Sequence, residues 1–299
     1  MNKIGFYHSL IFFNLCIFLS AFEYLRDNNL LILSLFLILS LGISHGALDH
    51  IKGQKLIKIL NLKSIMSFYV LYILIGLGII FLWLIFPKIL LLIFLVVASF
   101  HFGKEDSEFV NYMPNKDIIY FFKGSLVITA PILFHKTETL EIFKNLNFDI
   151  SQNILVSNEF LYLFVIVSFF ANIIISSNKK IEIKSILIMD FMSILLLNYF
   201  FNPILAFTLY FCFLHSVRHA FKLSNELNKN NLFKGFIEFM IIAIPLSILS
   251  SILFLLSLLF LNNFYFFDSA LSKVIFIGLA SLTFPHILLE YLIEKNEQA

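Results

Sequence analysis

Eight histidines stand in a 299-residue chain that is otherwise poor in ionisable groups. They are His8, His45, His50, His101, His135, His215, His219 and His286. Imidazole binds metals and changes charge near neutral pH, so the spacing of these residues is weighed first. His215 and His219 lie four apart in His-Ser-Val-Arg-His. That spacing shares a helix face, so both rings could meet one metal or cavity. A carboxylate follows three others at the same spacing: Asp49 after His45, Glu105 after His101 and Glu290 after His286. A metal-bound imidazole usually gives its other N–H to a carboxylate, a carbonyl or water. These carboxylates could support a neighbouring ligand or bind metal themselves.

The elements that must position these groups are apolar. Hydrophobic residues make up 60% of the chain and charged residues 13%, against about 45–50% and about 25% in a soluble domain. Mean hydropathy is +0.93. These values exclude a water-soluble enzyme and a disordered chain. A net charge of +2 gives no reason to expect a nucleic-acid partner. Cys16 and Cys212 both fall in apolar runs, so no disulfide framework is expected. The 39 phenylalanines accompany many Ile, Asn and Lys, and are read as codon bias rather than a substrate signal.

A membrane-spanning helix needs about 20 mostly apolar residues. Ten segments qualify: 7–25, 29–48, 65–86, 88–103, 118–135, 159–176, 184–201, 203–220, 235–261 and 271–291. Pro87 separates the third from the fourth, and Asn202-Pro203 the seventh from the eighth. Their continuity excludes the alternating strands of a membrane barrel. The first has only Lys3 before it and no cleavage pattern, so it reads as a retained helix. Residues 51–63, with four lysines among Ile and Leu, read as an interfacial amphipathic turn or helix. Residues 136–158 form the longest predicted non-cytoplasmic connection. The expectation is an all-α, polytopic transmembrane helical bundle of about ten spans, one integral-membrane catalytic domain over 1–299.

With ten spans, 16 of the 21 Lys and Arg residues fall on the side that holds both termini. The positive-inside rule then predicts a multi-pass cell (inner) membrane protein with both termini cytoplasmic. His45, His50, His101, His215, His219 and His286 all fall near the cytoplasmic ends of four predicted spans. Six histidines at one depth argue for a common role, because independent ones would scatter. Spacing alone leaves open which of them would bind metal. His8 and His135 read as hydrogen-bonded packing or interfacial residues. Arg218 reads as a snorkelling residue, with a carboxylate or anion partner as the sharper option. Asp106 reads as a cap or a solvated charge, and Asp190 as a polar interhelical contact. Gly42, Gly46 and Gly103 are expected to permit close packing. Tyr210 and Phe211 are expected to be wall residues. No zinc-protease, P-loop, dinucleotide-binding or nucleophile-elbow motif is found. Metal chemistry on a lipid-soluble molecule is the economical remainder.

Four blocks resemble the Brp/Blh family of bacterial and archaeal β-carotene 15,15′-dioxygenases. They are Gly42-Ile43-Ser44-His45-Gly46-Ala47-Leu48-Asp49-His50, Phe100-His101-Phe102-Gly103-Lys104-Glu105-Asp106, His215-Ser216-Val217-Arg218-His219, and Pro285-His286 with Glu290. Ser44 stands where proline is common in the family. The resemblance spans about residues 42–290. It implies a membrane dioxygenase that uses Fe(II) and O2 to split β-carotene at the central bond into two retinals. It also implies His45, His101, His215 and His219 as metal ligands. His50, His286, Asp49, Glu105 and Glu290 would support the ligands or replace one. β-Carotene, O2 and the lipid bilayer are the expected partners, with no protein partner.

Two alternatives stand beside this reading. One is a di-metal membrane hydroxylase or desaturase acting on a lipid or carotenoid, although the His-x-x-His-His box of such enzymes is absent. The other is a non-enzymatic haem carrier or transporter, which a Soret band or unconverted ligand would reveal.

Overall fold

The computed structural model describes residues 2–22, 25, 30–59, 64–110, 117–150 and 156–297. The side chains of Ser44 and His45 lie outside this description, as do Arg26, Lys63 and Lys116 of the predicted charge pattern. Among the described residues there are no strands, and ten helices are long and apolar enough to cross a membrane. The protein is an all-α polytopic helical bundle.

The elements follow one another as α1 (Asn2–Ser20), α2 (Leu31–Leu37), α3 (Asp49–Ile59), α4 (Ile65–Ile85), α5 (Pro87–Glu105) and α6 (Asp117–Phe134). There follow α7 (Lys136–Asn145), α8 (Asn158–Ser176), α9 (Ile181–Phe200), α10 (Pro203–Leu209), α11 (Val217–Leu227), α12 (Leu232–Leu261) and α13 (Phe267–Glu297). Their starts carry recognisable chemistry. The Asn202 side chain accepts from the Leu205 amide at 3.0 Å, and Pro203 occupies the first turn, where its missing N–H costs nothing. Ser64, Ser157 and Asn231 cap α4, α8 and α12 in the same way.

Two spans are not continuous α-helix. The second predicted span runs from α2 through a π turn, Ile38–Gly42, and a 3-10 stretch, Ile43–Leu48, into α3. The eighth passes from α10 through a π turn, Tyr210–Ser216, into α11. Such turns release backbone groups from the regular ladder and recur at functional sites. The two π turns pack on each other. The Ser216 hydroxyl donates to the Gly42 carbonyl at 3.3 Å, supplying a side-chain donor at this irregular stretch. A Cβ on Gly42 would collide with the Phe211 ring, so the glycine is what permits this approach.

The predicted 136–158 connection needs correction. Its first ten residues form α7, which buries Thr139, Ile142 and Phe143. The Thr139 hydroxyl donates to the Pro131 carbonyl at 2.9 Å, tying the short helix to the end of α6. Residues 151–155 of that connection lie outside the described residues. The 51–63 segment is helical as far as Ile59.

The chain divides into two compact units, each built from two stretches. The first comprises Met1–Gly42 and Leu92–His219, the second Ile43–Leu91 and Ala220–Ala299. In the first unit α6 packs on α8 and α1 on α9. The α5–α6 crossing is close because Gly103 and Gly124 face one another. A Cβ on Gly103 would strike the Tyr120 carbonyl, and one on Gly124 the Ser99 carbonyl. In the second unit α13 packs against α3, α4 and α12. Pro285 cannot donate to the Ser281 carbonyl. Gly76 of α4 lies against that carbonyl, 3.0 Å from where its Cβ would sit. A Cα–H contact there would partly replace the lost bond.

Candidate active site

The first unit holds His101 near the end of α5, His215 in the second π turn and His219 in α11. All three are buried. The rings of His101 and His215 meet edge to face at 5.3 Å between centroids. Two carboxylates address the other faces of the cluster. Asp106 Oδ1 lies 3.1 Å from His215 Nδ1, and Glu105 Oε2 lies 2.7 Å from His219 Nδ1. An ionised carboxylate only accepts, so Nδ1 carries the proton in both rings. A metal bound by these imidazoles would then take Nε2.

Sequence spacing placed Glu105 one turn after His101, yet the side chain serves His219 on another helix. Asp106 is the larger correction. It follows the last residue of α5, where its amide bonds the Phe102 carbonyl at 3.0 Å, but its side chain is buried rather than solvated. Its Oδ2 accepts from the Tyr210 hydroxyl at 2.6 Å, and its carbonyl accepts from Lys123 Nζ at 2.8 Å. Burial alone would raise the Asp106 carboxyl. The His215 imidazole, with Arg218 and Lys123, more than offsets that and holds it well below the usual carboxylate range. Tyr210 is thus more than a wall residue. Only its distance in sequence, 104 residues from Asp106, concealed the link.

Arg218 does not snorkel. Both its terminal nitrogens bind Asp190, at 2.7 and 2.9 Å, and one also donates to the Ser9 hydroxyl at 2.9 Å. Its guanidinium stacks over Phe109 at 5.4 Å. Asp190 and Arg218 are each other's reason for lying inside apolar helices. With Lys123 and Asp106 they make a buried set of two cations and two carboxylates with no net charge. His8 bonds the Phe213 carbonyl at 2.9 Å, a packing role as expected. His135 stands between α6 and α7, with Nδ1 4.0 Å from Glu138.

The second unit repeats the imidazole–carboxylate arrangement. His286 Nδ1 lies 2.8 Å from Asp49 Oδ1, and Asp49 Oδ2 accepts from the Tyr72 hydroxyl at 2.7 Å. Glu290 Oε2 is 3.8 Å from His286 Nε2, and its other oxygen pairs with Lys52. His50 Nδ1 donates to the Ala47 carbonyl at 3.0 Å. Tyr72 was not singled out from sequence. It sits in a featureless apolar run, and its partner is 23 residues away.

Three buried imidazoles therefore each give Nδ1–H to a carboxylate: His215 to Asp106, His219 to Glu105 and His286 to Asp49. This is the support that metal-ligating histidines ordinarily receive, and it raises the basicity of the other nitrogen. The donor set fits a metal that accepts imidazole. Phe102 and Phe211 pack on His215, with centroids at 4.9 and 5.8 Å, and keep its surroundings apolar.

Comparison with known proteins gives one consistent result. A family model described as beta-carotene 15,15′-dioxygenase matches residues 36–294. A curated protein from an uncultured marine bacterium, 66A03, named beta-carotene 15,15′-dioxygenase, is 27% identical over 266 residues. That alignment covers 86% of this chain and 91% of the relative. No solved structure matches the chain.

Proposed function

The chain belongs to the β-carotene 15,15′-dioxygenase family, and from that premise we propose that it cleaves β-carotene at its central double bond with O2, giving two retinal molecules. The family match over residues 36–294 carries this reading. The buried imidazole–carboxylate pairs support it, because they suit a metal-dependent oxygenase.

The proposed metal is Fe(II), with His45, His101, His215 and His219 as ligands, following the family resemblance. Imidazole alone accepts several metals, and iron is chosen because the reaction consumes O2. Bound iron would supply the O2 activation that protein side chains do not perform. The chain's own contribution is orientation and exclusion of water. Asp106 and Glu105 hold His215 and His219 in one tautomer. Tyr210 and Lys123 hold Asp106 in turn. The Phe102 and Phe211 rings screen the cluster from solvent.

Expression in a β-carotene-producing bacterium, with chromatography of the extracted pigments, tests the reaction. Retinal as the sole cleavage product is expected. Apocarotenals of unequal length, or turnover undiminished without O2, would overturn the reading.

A further inference from the structure

The second unit contains a cavity of about 200 Å3 beside the His286–Asp49–Tyr72 group. It lies within that unit alone, walled by α3 and the preceding 3-10 stretch, α4, α12 and α13. On α13 its wall is one face, Leu279, Leu282, Thr283 and His286. Seven residues of helix separate the ends of that face, about 10 Å. His286, Asp49 and Tyr72 make part of its wall polar, whereas Leu279, Leu282 and Ile43 are apolar.

Two features say what fits. The first is where the cavity reaches the surface. Ile73 and Leu246 belong to its wall, yet are 59% and 40% exposed. Ile73 is near the middle of α4 and Leu246 at the middle of α12. The opening therefore faces the hydrocarbon layer, from which a water-insoluble ligand arrives. The second feature is Ser247. Its hydroxyl oxygen is buried in the cavity wall and makes no hydrogen bond among the described residues. A helical serine ordinarily bonds the carbonyl four residues back. A buried hydroxyl left unsatisfied costs about 1–3 kcal/mol, so an incoming partner is favoured.

Volume limits the occupant. A cavity of about 150 Å3 lined by apolar side chains takes benzene. About 200 Å3 takes a substituted ring or a short polyene stretch, and not an entire C40 carotenoid. We propose that this cavity is a lipid-side subsite for one arm of the carotenoid substrate, and that Ser247 reads an oxygen substituent on that arm. This rests on the carotenoid-cleaving function proposed above. The remainder of that arm stays at the mouth between Ile73 and Leu246. Ser247 then makes the enzyme accept ring-hydroxylated carotenoids as well as β-carotene.

The test separates binding from turnover. Purified full-length protein is incubated without O2 with β-carotene or its 3,3′-dihydroxy derivative, and bound polyene is read from absorbance. Ile73→Trp and Leu246→Trp narrow the mouth and should reduce bound carotenoid at least 5-fold. Ile241→Trp, on the exposed face of α12 opposite the cavity wall, should bind as wild type and controls for folding. Ser247→Ala should lower the ratio of dihydroxy to β-carotene affinity about 3- to 10-fold, the worth of one hydrogen bond. Wild-type binding by both mouth variants, no binding by the wild-type protein, or an unmoved ratio in Ser247→Ala would overturn the proposal. If the wild-type protein binds as described but yields no retinal in O2, the cleavage reading fails and the subsite stands. If it yields retinal while the mouth variants bind normally, the subsite fails alone.

Discussion

Asp190 and Arg218 show how strongly single residues are committed in this protein. Asp190 is buried and Arg218 largely so, and each alone would be an unpaired charge among apolar helices. Removing one partner of such a pair typically costs about 3–5 kcal/mol, while replacing both by apolar groups can be neutral. Asp190→Ala should therefore lower the thermal midpoint in detergent markedly. The double variant Asp190→Leu, Arg218→Met should recover much of the loss. Equal destabilisation by single and double variants would show that the ion pair is not the reason. Lys180→Ala, on the exposed surface, should stay within about 0.5 kcal/mol. Glu105 allows a separate prediction, because its carboxylate orients His219 at 2.7 Å. Glu105→Gln keeps the shape and removes the charge. Loss of such support typically weakens metal affinity about 10–100-fold. Iron titration of the purified variant reads this without activity, and wild-type affinity would refute the role. The sequence exposed these residues but not their partners. Periodicity joins Glu105 to His101, four residues away, whereas the partner it serves is 114 residues on.

Elements were more legible than partnerships, for a physical reason. A spanning helix must satisfy its backbone internally and face lipid with apolar side chains, so its signal is local and continuous. All ten long helices were visible in that way. What escaped was structure whose cause lies elsewhere in the fold. The amphipathic α7 has only ten residues and three buried ones, too few to stand out from a polar connection. The π turns were hidden because what accompanies them, the approach of Gly42 to Phe211, joins residues far apart in sequence. Gly103 was expected to permit close packing, and it does so against Tyr120 and Gly124. Gly103→Ala should accordingly force α5 and α6 apart, at about 1–3 kcal/mol for overpacking. Gly78 in α4 meets nothing within 4 Å of a built Cβ, so Gly78→Ala should be neutral or slightly stabilising. Thermal midpoints of the two purified variants make the comparison. Equal behaviour would mean that the α5–α6 crossing is not limited by backbone contact.

At the scale of the whole molecule the question is orientation in the membrane. Ten spans place both termini on one side, whatever the charges do. Charge then selects the side. The structure refines the 16-to-5 distribution of Lys and Arg, because three of those residues are not available to the membrane surface. Lys123 is buried with its ammonium on the Asp106 carbonyl, and Arg218 is held by Asp190. On the other side Lys273 is buried and lies over the Tyr265 ring at 4.8 Å. Removing these leaves 14 against 4, so the asymmetry does not depend on these three residues. The positive-inside rule then predicts that both termini are cytoplasmic. Fusions at either end should be fluorescent with a reporter that matures only in the cytoplasm, and inactive with a periplasmic phosphatase. The two ways of failing are different. Termini on opposite sides would refute the count of ten spans, and with it the common depth assigned to the six histidines. Termini together on the periplasmic side would leave the count intact and invert only the orientation, carrying the predicted metal centre to the opposite face.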